Sequence, residues 1–163
     1  MERPDTRILI VPATMAYGNV ISALHTRCFD EAWTPFTVRQ VLAMPGSAGL
    51  LAVPEGYGVP EPDLAGFVIY RLAADECEIL SLAVADAWRR SGVGRGLLEG
   101  AIARAREGGA ASIFLEVAED NHAAQNLYRQ YGFAAVGRRK DYYKRRDGPP
   151  VAALTFSLMF GPG

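Results

Sequence analysis

The chain has 163 residues, 50% of them hydrophobic, and 17 Lys plus Arg against 18 Asp plus Glu give a formal charge of -1. Such a chain can bury a real core, so residues 1–163 are expected to form a single domain rather than a disordered segment. The near-zero charge supplies no global field toward nucleic acid or anionic lipid, so any anion site must be local.

The opening stretch MERPDTRILIVP sets an acid and a proline ahead of a short apolar run. It fits neither a secretory signal nor a membrane span, so the expected location is the cytoplasm. Residues 6–12 read as a first strand, and Thr14 to about Phe29 carries Val20, Ile21, Leu24 and Cys28 at helical spacing. A short helix is expected from Thr37 to Met44, capped by Thr37, with Val38, Val41 and Leu42 on one face and Pro45-Gly46 as its stop. GLLAV at 49–53 and LAGFVIY at 64–70 flank PEGYGVPEPD, whose prolines and glycines forbid regular structure, so a hairpin with a loose loop is predicted.

ECEILSLAV at 76–84, a helix from Val93 to Glu107 stopped by Gly108-Gly109, and SIFLEV at 112–117 make a strand-helix-strand crossover. Asn121 to Tyr131 reads as a helix ended by Gly132, followed by FAAVG as a strand. VAALTFSLMF is the last strand, reached through a basic, turn-rich stretch. Hairpin and crossover together imply a mixed sheet with helices on both faces. Cys28 and Cys77 lack metal-type spacing and read as buried free thiols.

Residues 89–96, RRSGVGRG, place Gly92, Gly94 and Gly96 where the crossover helix starts. They match no P-loop, since no Gly-Lys-Ser/Thr follows, and no dinucleotide turn, since the sixth position from Gly92 is Leu97. The physical logic of an anion site remains: residues without Cβ admit an anion to backbone N–H groups, and a helix start presents free donors with partial positive charge. Equally, the glycines could serve only a tight turn and close packing of helix on sheet.

Glu116 is a carboxylate inside an otherwise apolar strand, where an unpaired buried charge is expensive. It is either paired, useful as a general base, or turned to solvent by strand alternation. Asn121 stands where an N-cap is expected, and Tyr128 where a core aromatic is expected, with a hydroxyl that needs a polar partner when buried.

In combination, Arg89-x-x-Gly92-x-Gly94 after an apolar strand, LEV, and N-x-x-A-x-x-L-Y-x-x-x-G-F from Asn121 to Phe133 resemble the GNAT superfamily of acetyl-CoA-dependent N-acetyltransferases. Within it the chain is similar to the RimI type, the alanine N-acetyltransferases of a small-subunit ribosomal protein. CFDEAW, ILSLAV, FLEVAEDNHAAQNLYRQYGF and GRRKDYY carry that likeness. The resemblance implies an α+β (mixed α/β) fold, with a central mixed, mostly antiparallel sheet between helices.

It also implies acetyl-CoA as cosubstrate, with no metal, and assigns the site residues. The backbone of Leu82, Ala83 and Val84 would line the pantetheine arm, with an N–H near Val84 supporting the oxyanion. Arg89, Arg90, Ser91, Gly92, Val93, Gly94 and Arg95 would wrap the pyrophosphate, and Asn121 would hold the arm or a water. Glu116 would be the general base and Tyr128 the acid that protonates the coenzyme A thiolate. An α-amino group has a pKa of about 8 and must shed a proton before attack, which is the base's task. Neither cysteine matches a nucleophile position, so direct transfer is expected.

The acceptor implied is a protein N-terminus such as that of a ribosomal protein, or else a small amine such as an amino acid, polyamine or aminoglycoside. The chain departs from the RimI type after Tyr143, where Lys144-Arg145-Arg146 replaces acidic residues and a basic peptide would be less welcome. A nucleic-acid module built on the six basic residues from Arg138 to Arg146 lacks a supporting field, and a non-catalytic acetyl-CoA sensor would not need both Glu116 and Tyr128.

Overall fold

The computed structural model describes residues 6–55 and 64–161. In chain order the strands are β1 (Ile8–Pro12), β2 (Ser47–Pro54), β3 (Gly66–Ala73), β4 (Glu76–Val84), β5 (Ser112–Ala118), β6 (Ala134–Tyr143) and β7 (Val151–Met159). The α-helices are α1 (Gly18–Cys28), α2 (Pro35–Ala43), α3 (Val93–Glu107) and α4 (His122–Gln130). One seven-stranded sheet has the order β1-β2-β3-β4-β5-β7-β6, with β4 and β5 parallel and the other neighbours antiparallel. This is the mixed, mostly antiparallel sheet expected of the sequence.

Strand alternation divides the core in two. Leu50, Ala52, Val68 and Tyr70 pack under Leu97, Leu98, Ala101 and Ala105 of α3, with Tyr128 of α4 in the same layer. Their neighbours Leu51, Val53, Phe67 and Ile69 face the other way, onto Ile21 and Leu24 of α1 and Val38 of α2. The parallel pair needs a crossover, and α3 supplies it; just past its end Gly109 takes φ +84°, a left-handed turn that stops the helix.

Three elements differ from expectation. Residues Met15–Tyr17 form a 3-10 turn before α1 proper. Helix α2 starts at Pro35, and its cap is Thr34, whose Oγ1 accepts from the Thr37 N–H at 3.1 Å. Apolar spacing shows which face is buried but not where hydrogen bonding begins, and proline at the first helical position loses no bond. Strand β6 runs through the basic stretch to Tyr143, with register shifts and Asp141 at φ +53°. As a sheet edge it keeps its charges in water, so polarity does not prevent pairing with β7. Most of the predicted loose loop, residues 56–63, lies outside the described residues.

One irregularity positions the site. Tyr70 pairs with Ile79 and Ile69 with Ser81, leaving Leu80 as an extra residue in β4. A bulge bends its strand, and the β4–β5 pairing ends at Ile79 opposite Leu115, immediately before Leu80. Beyond that point the two strands part.

Candidate active site

The Ala85 N–H donates to Ala65 O at 2.8 Å, which marks Ala85 and, by alternation, Ala83 as the residues bonded to β3. The peptide groups of Leu82 and Val84 therefore front the opening toward β5. Ala83 turns its peptide to β3 and its side chain into the α1–α2 core, so within the Leu82–Val84 stretch it is the member that does not face the opening. Across the gap the Glu119 N–H donates to Ala152 O at 2.8 Å, which assigns Val117 to β7 and turns the peptides of Glu116 and Ala118 toward β4. Two strands thus offer backbone donors and acceptors to an extended, amide-bearing chain lying between them.

At the mouth of the gap stands the start of α3. Its first helical bond runs from the Gly96 N–H to Gly92 O at 3.0 Å, so the amides of Val93, Gly94 and Arg95 lie ahead of it. The N-caps of α2 and α4 accept through side chains, but α3 is capped by Gly92, which has none. Gly92 sits at φ +86° and Arg90 at φ +62°, both left-handed. A Cβ on Gly92 would meet nothing within 4 Å, so the glycine is required by backbone conformation, not crowding.

A Cβ on Gly94 would lie 3.4 Å from Leu127 and 3.6 Å from Val84, which seats the helix start against β4 and α4. Ser91 Oγ donates to Trp88 O, Arg89 pairs with Asp86 at 3.1 Å, and Arg95 donates to Gln130 on α4. Val93 is buried and contributes its amide alone. This donor set suits a pyrophosphate: free helix amides, positive dipole and flanking arginines.

Glu116 and Tyr128 lie on opposite faces of the sheet. Leu115 and Val117 point to the α3–α4 core, so Glu116 between them points to the other side, where it is half-buried. It is ion-paired: Arg139 Nε lies 3.2 Å from Glu116 Oε1. Tyr128 packs in the α3–α4 core against Phe133 and Phe156, with ring centroids 5.8 and 6.3 Å away. Burial pushes its hydroxyl up to about 12, with the neighbouring Tyr143 phenol adding to the effect.

Tyr143 is itself pushed up to about 12, by burial and then by the negative charge of Glu116. It stands within electrostatic reach of both and bridges the two sides. Sequence reasoning quoted Tyr143 and Arg139 within GRRKDYY but gave neither a role. Only the pairing of β6 with β7 brings them to Glu116. Asn121 caps α4, its Oδ1 accepting from the Ala124 N–H at 3.2 Å, which leaves its side-chain amide nitrogen as a donor.

The basic stretch is internally neutralised. Arg138 binds Glu119 through two bonds of 2.9 and 3.0 Å, Arg145 binds Asp120 at 2.7 Å, and Arg146 lies 4.0 Å from Asp30. With Arg139 on Glu116, four of the six basic residues are matched to acids. Asp30 belongs to the α1–α2 connection, so that segment and the β6–β7 turn come together at this pair. Cys28, a half-buried free thiol, lies 3.7 Å from Val84 O, and burial raises its pKa. Cys77 is buried and pushed up to about 11 by desolvation. Neither is poised as a thiolate.

Among the described residues no group of three or more His, Cys, Asp or Glu could hold a metal, and no helix is long and apolar enough to cross a membrane.

The chain is similar to known proteins along most of its length. The chain is 35% identical over 147 residues to the N-alpha-acetyltransferase RimI of Mycobacterium tuberculosis, covering 86% of this chain and 87% of that one. It is 38% identical over 91 residues to a ribosomal protein bS18-alanine N-acetyltransferase of Escherichia coli K12, a match spanning 56% of this chain and 62% of the relative. The crystal structure of the ribosomal-protein-S18-alanine N-acetyltransferase from Escherichia coli superposes with a TM-score of 0.85 at 25% identity over 96% of each chain. The acetyltransferase (GNAT) family model matches residues 19–133, and the chain belongs to that family.

Proposed function

We propose that residues 1–163 act as one acetyltransferase domain that moves an acetyl group from acetyl-CoA to the α-amino group of a protein N-terminus. The observation that carries this reading is the β4–β5 gap, with the start of α3, free of any side-chain cap, at its mouth and Glu116 on the strand that borders it. The likeness to the N-alpha-acetyltransferase RimI of Mycobacterium tuberculosis along most of both chains supports an N-terminal amine as acceptor, and the Escherichia coli relative puts a ribosomal protein among the candidates.

Acetyl-CoA supplies an activated acyl group on sulfur. The amides of Val93, Gly94 and Arg95, with Arg89, Arg90, Ser91 and Gly92 forming the turn before them, bind the pyrophosphate. Peptide groups of Leu82 and Val84 hold the arm in the gap, and the Val84 N–H supports the carbonyl oxygen as it gains charge. The Asn121 amide nitrogen assists from the other rim.

The Glu116 carboxylate takes the proton that the acceptor's ammonium must lose, directly or through water. The neutral amine forms the new C–N bond as the C–S bond breaks, the Tyr128 hydroxyl gives its proton to the departing sulfur, and the surplus proton on the new amide nitrogen passes through water to restore the phenol. A phenol held near 12 stays protonated at working pH and is available for that step. With both cysteines held as thiols, transfer is direct.

Incubation with acetyl-CoA and a panel of N-terminal peptides and small amines, read by mass spectrometry, tests the reading. Acetylated peptide α-amines are expected; modification of small amines alone would replace it with the small-molecule reading.

A further inference from the structure

A base that already holds a cation must give it up before an amine can use it. Arg139 Nε lies 3.2 Å from Glu116 Oε1, with the Glu116 side chain 20% exposed and that of Arg139 62% exposed. The guanidinium, on a long side chain of an edge strand, is therefore the movable partner and the carboxylate the fixed one.

The sheet sets an unpaired carboxylate beside this pair. Cys77 and Ile79 enter the α3–α4 core, so Glu78 between them points to the other face, which is the face of Glu116. Glu78 stands opposite Phe114 in the parallel pairing, and Glu116 lies two residues further along β5. Neighbouring strands lie about 4.8 Å apart and rise about 3.3 Å per residue, which puts the two glutamates about 8 Å apart at Cα. Other acids near Arg139 are taken: Glu119 holds Arg138, Asp120 holds Arg145, and Asp30 faces Arg146. Among the described residues Glu78 is in no ion pair, and Arg71, its cross-strand neighbour on β3, donates through Nε to Pro45 O at 3.0 Å. Burial and then the charge of Glu116 push the Glu78 carboxyl up, against the pull of Arg71 and Arg139. A half-buried carboxylate beside a like charge gains from a cation of its own.

We propose, building on the N-terminal acetylation reading, that Glu78 is a positioning residue for Glu116: as the acceptor amine reaches Glu116, the Arg139 guanidinium passes to Glu78. Before the exchange one of the two carboxylates lacks a cation. Afterwards the ammonium sits on Glu116 and the guanidinium on Glu78, so both are matched and Glu116 is open to the amine's proton. Without Glu78 the guanidinium keeps competing with the amine for Glu116.

The test measures kcat and KM for a peptide beginning with Ala, and KM for acetyl-CoA, in wild type, Glu78→Gln, Glu78→Asp, and Arg139→Ala with and without Glu78→Gln. In Glu78→Gln, kcat/KM for the peptide should fall about tenfold while KM for acetyl-CoA stays within about twofold, and Glu78→Asp should recover most of the loss. On the Arg139→Ala background the same Glu78→Gln change should cost less than about twofold, because no guanidinium remains to be moved. An equal cost on both backgrounds, or wild-type kcat/KM in Glu78→Gln, overturns the inference while leaving N-terminal acetylation intact. A wild type that acetylates no peptide overturns the reading beneath it.

Discussion

The Trp33 N–H donates to Nδ1 of His25 at 3.0 Å, and the two rings stack 4.7 Å apart. Ser22 Oγ donates to Trp33 O at 2.7 Å, so two α1 side chains clasp the connection to α2. An accepting Nδ1 carries no proton, and burial lowers the His25 pKa to about 4. The unfolded chain titrates at about 6.5, so between those values it binds a proton the folded chain refuses. Stability present above pH 6.5 is therefore lost as pH falls toward 4, by up to about 3 kcal/mol. Urea unfolding across that window should show a steeper decline for wild type than for His25→Gln, and equal slopes would clear His25 of the effect.

Tyr128→Phe keeps the ring that packs on Phe133 and Phe156 and removes only the hydroxyl. Turnover should fall by about 10- to 1,000-fold with the fold intact, if the phenol is the acid. Wild-type turnover in the variant would return Tyr128 to a packing role.

The same tyrosine predicts an alkaline limit. Its folded pKa of about 12 lies above the unfolded value of about 10, so the folded chain holds a proton the unfolded chain has lost. Stability is full below pH 10 and declines as pH rises toward 12, and Tyr143 acts in the same direction. The thermal midpoint of Tyr128→Phe should drop less between pH 9 and 11 than that of wild type; an equal drop counts against a buried Tyr128 phenol.

Glu116→Gln should flatten the pH dependence of turnover while sparing acetyl-CoA binding, because the side chain points to the face of the sheet opposite the α3–α4 core. An unchanged pH-rate profile removes Glu116 as the base.

Replacing Gly92 with Val imposes a branched side chain on φ +86°, a conformation that costs such residues on the order of 1–3 kcal/mol. The turn must then shift, taking the α3 amides with it. Arg89→Ala removes an exposed side chain that already pairs with Asp86. By calorimetry, acetyl-CoA affinity should fall at least about tenfold in Gly92→Val and less in Arg89→Ala. The reverse order would make arginine charge, not the amides, the main source of pyrophosphate affinity.

Much of the architecture was legible before any tertiary contact was known. The spans of β4 and α3, Glu76–Val84 and Val93–Glu107, coincide with the stretches read from periodicity and glycine stops. These features depend on residues within a few positions of one another. The cap of α2 and the extent of β6 were not legible, because Thr34 and Thr37 are both plausible caps and a charged edge strand looks like a loop until its partner is known.

The sequence by itself determined the elements, their order, and the motif set from Arg89 to Tyr128, since each follows from short-range periodicity, backbone freedom and spacing. Only the tertiary structure decided what those residues face. The bulge at Leu80 parts β4 from β5 because of how β3 pairs with it. Glu116 and Tyr128 lie on opposite faces of the sheet, and Arg139 and Tyr143 reach Glu116 through a strand pairing. Register between distant strands sets these neighbours, and no local pattern encodes it.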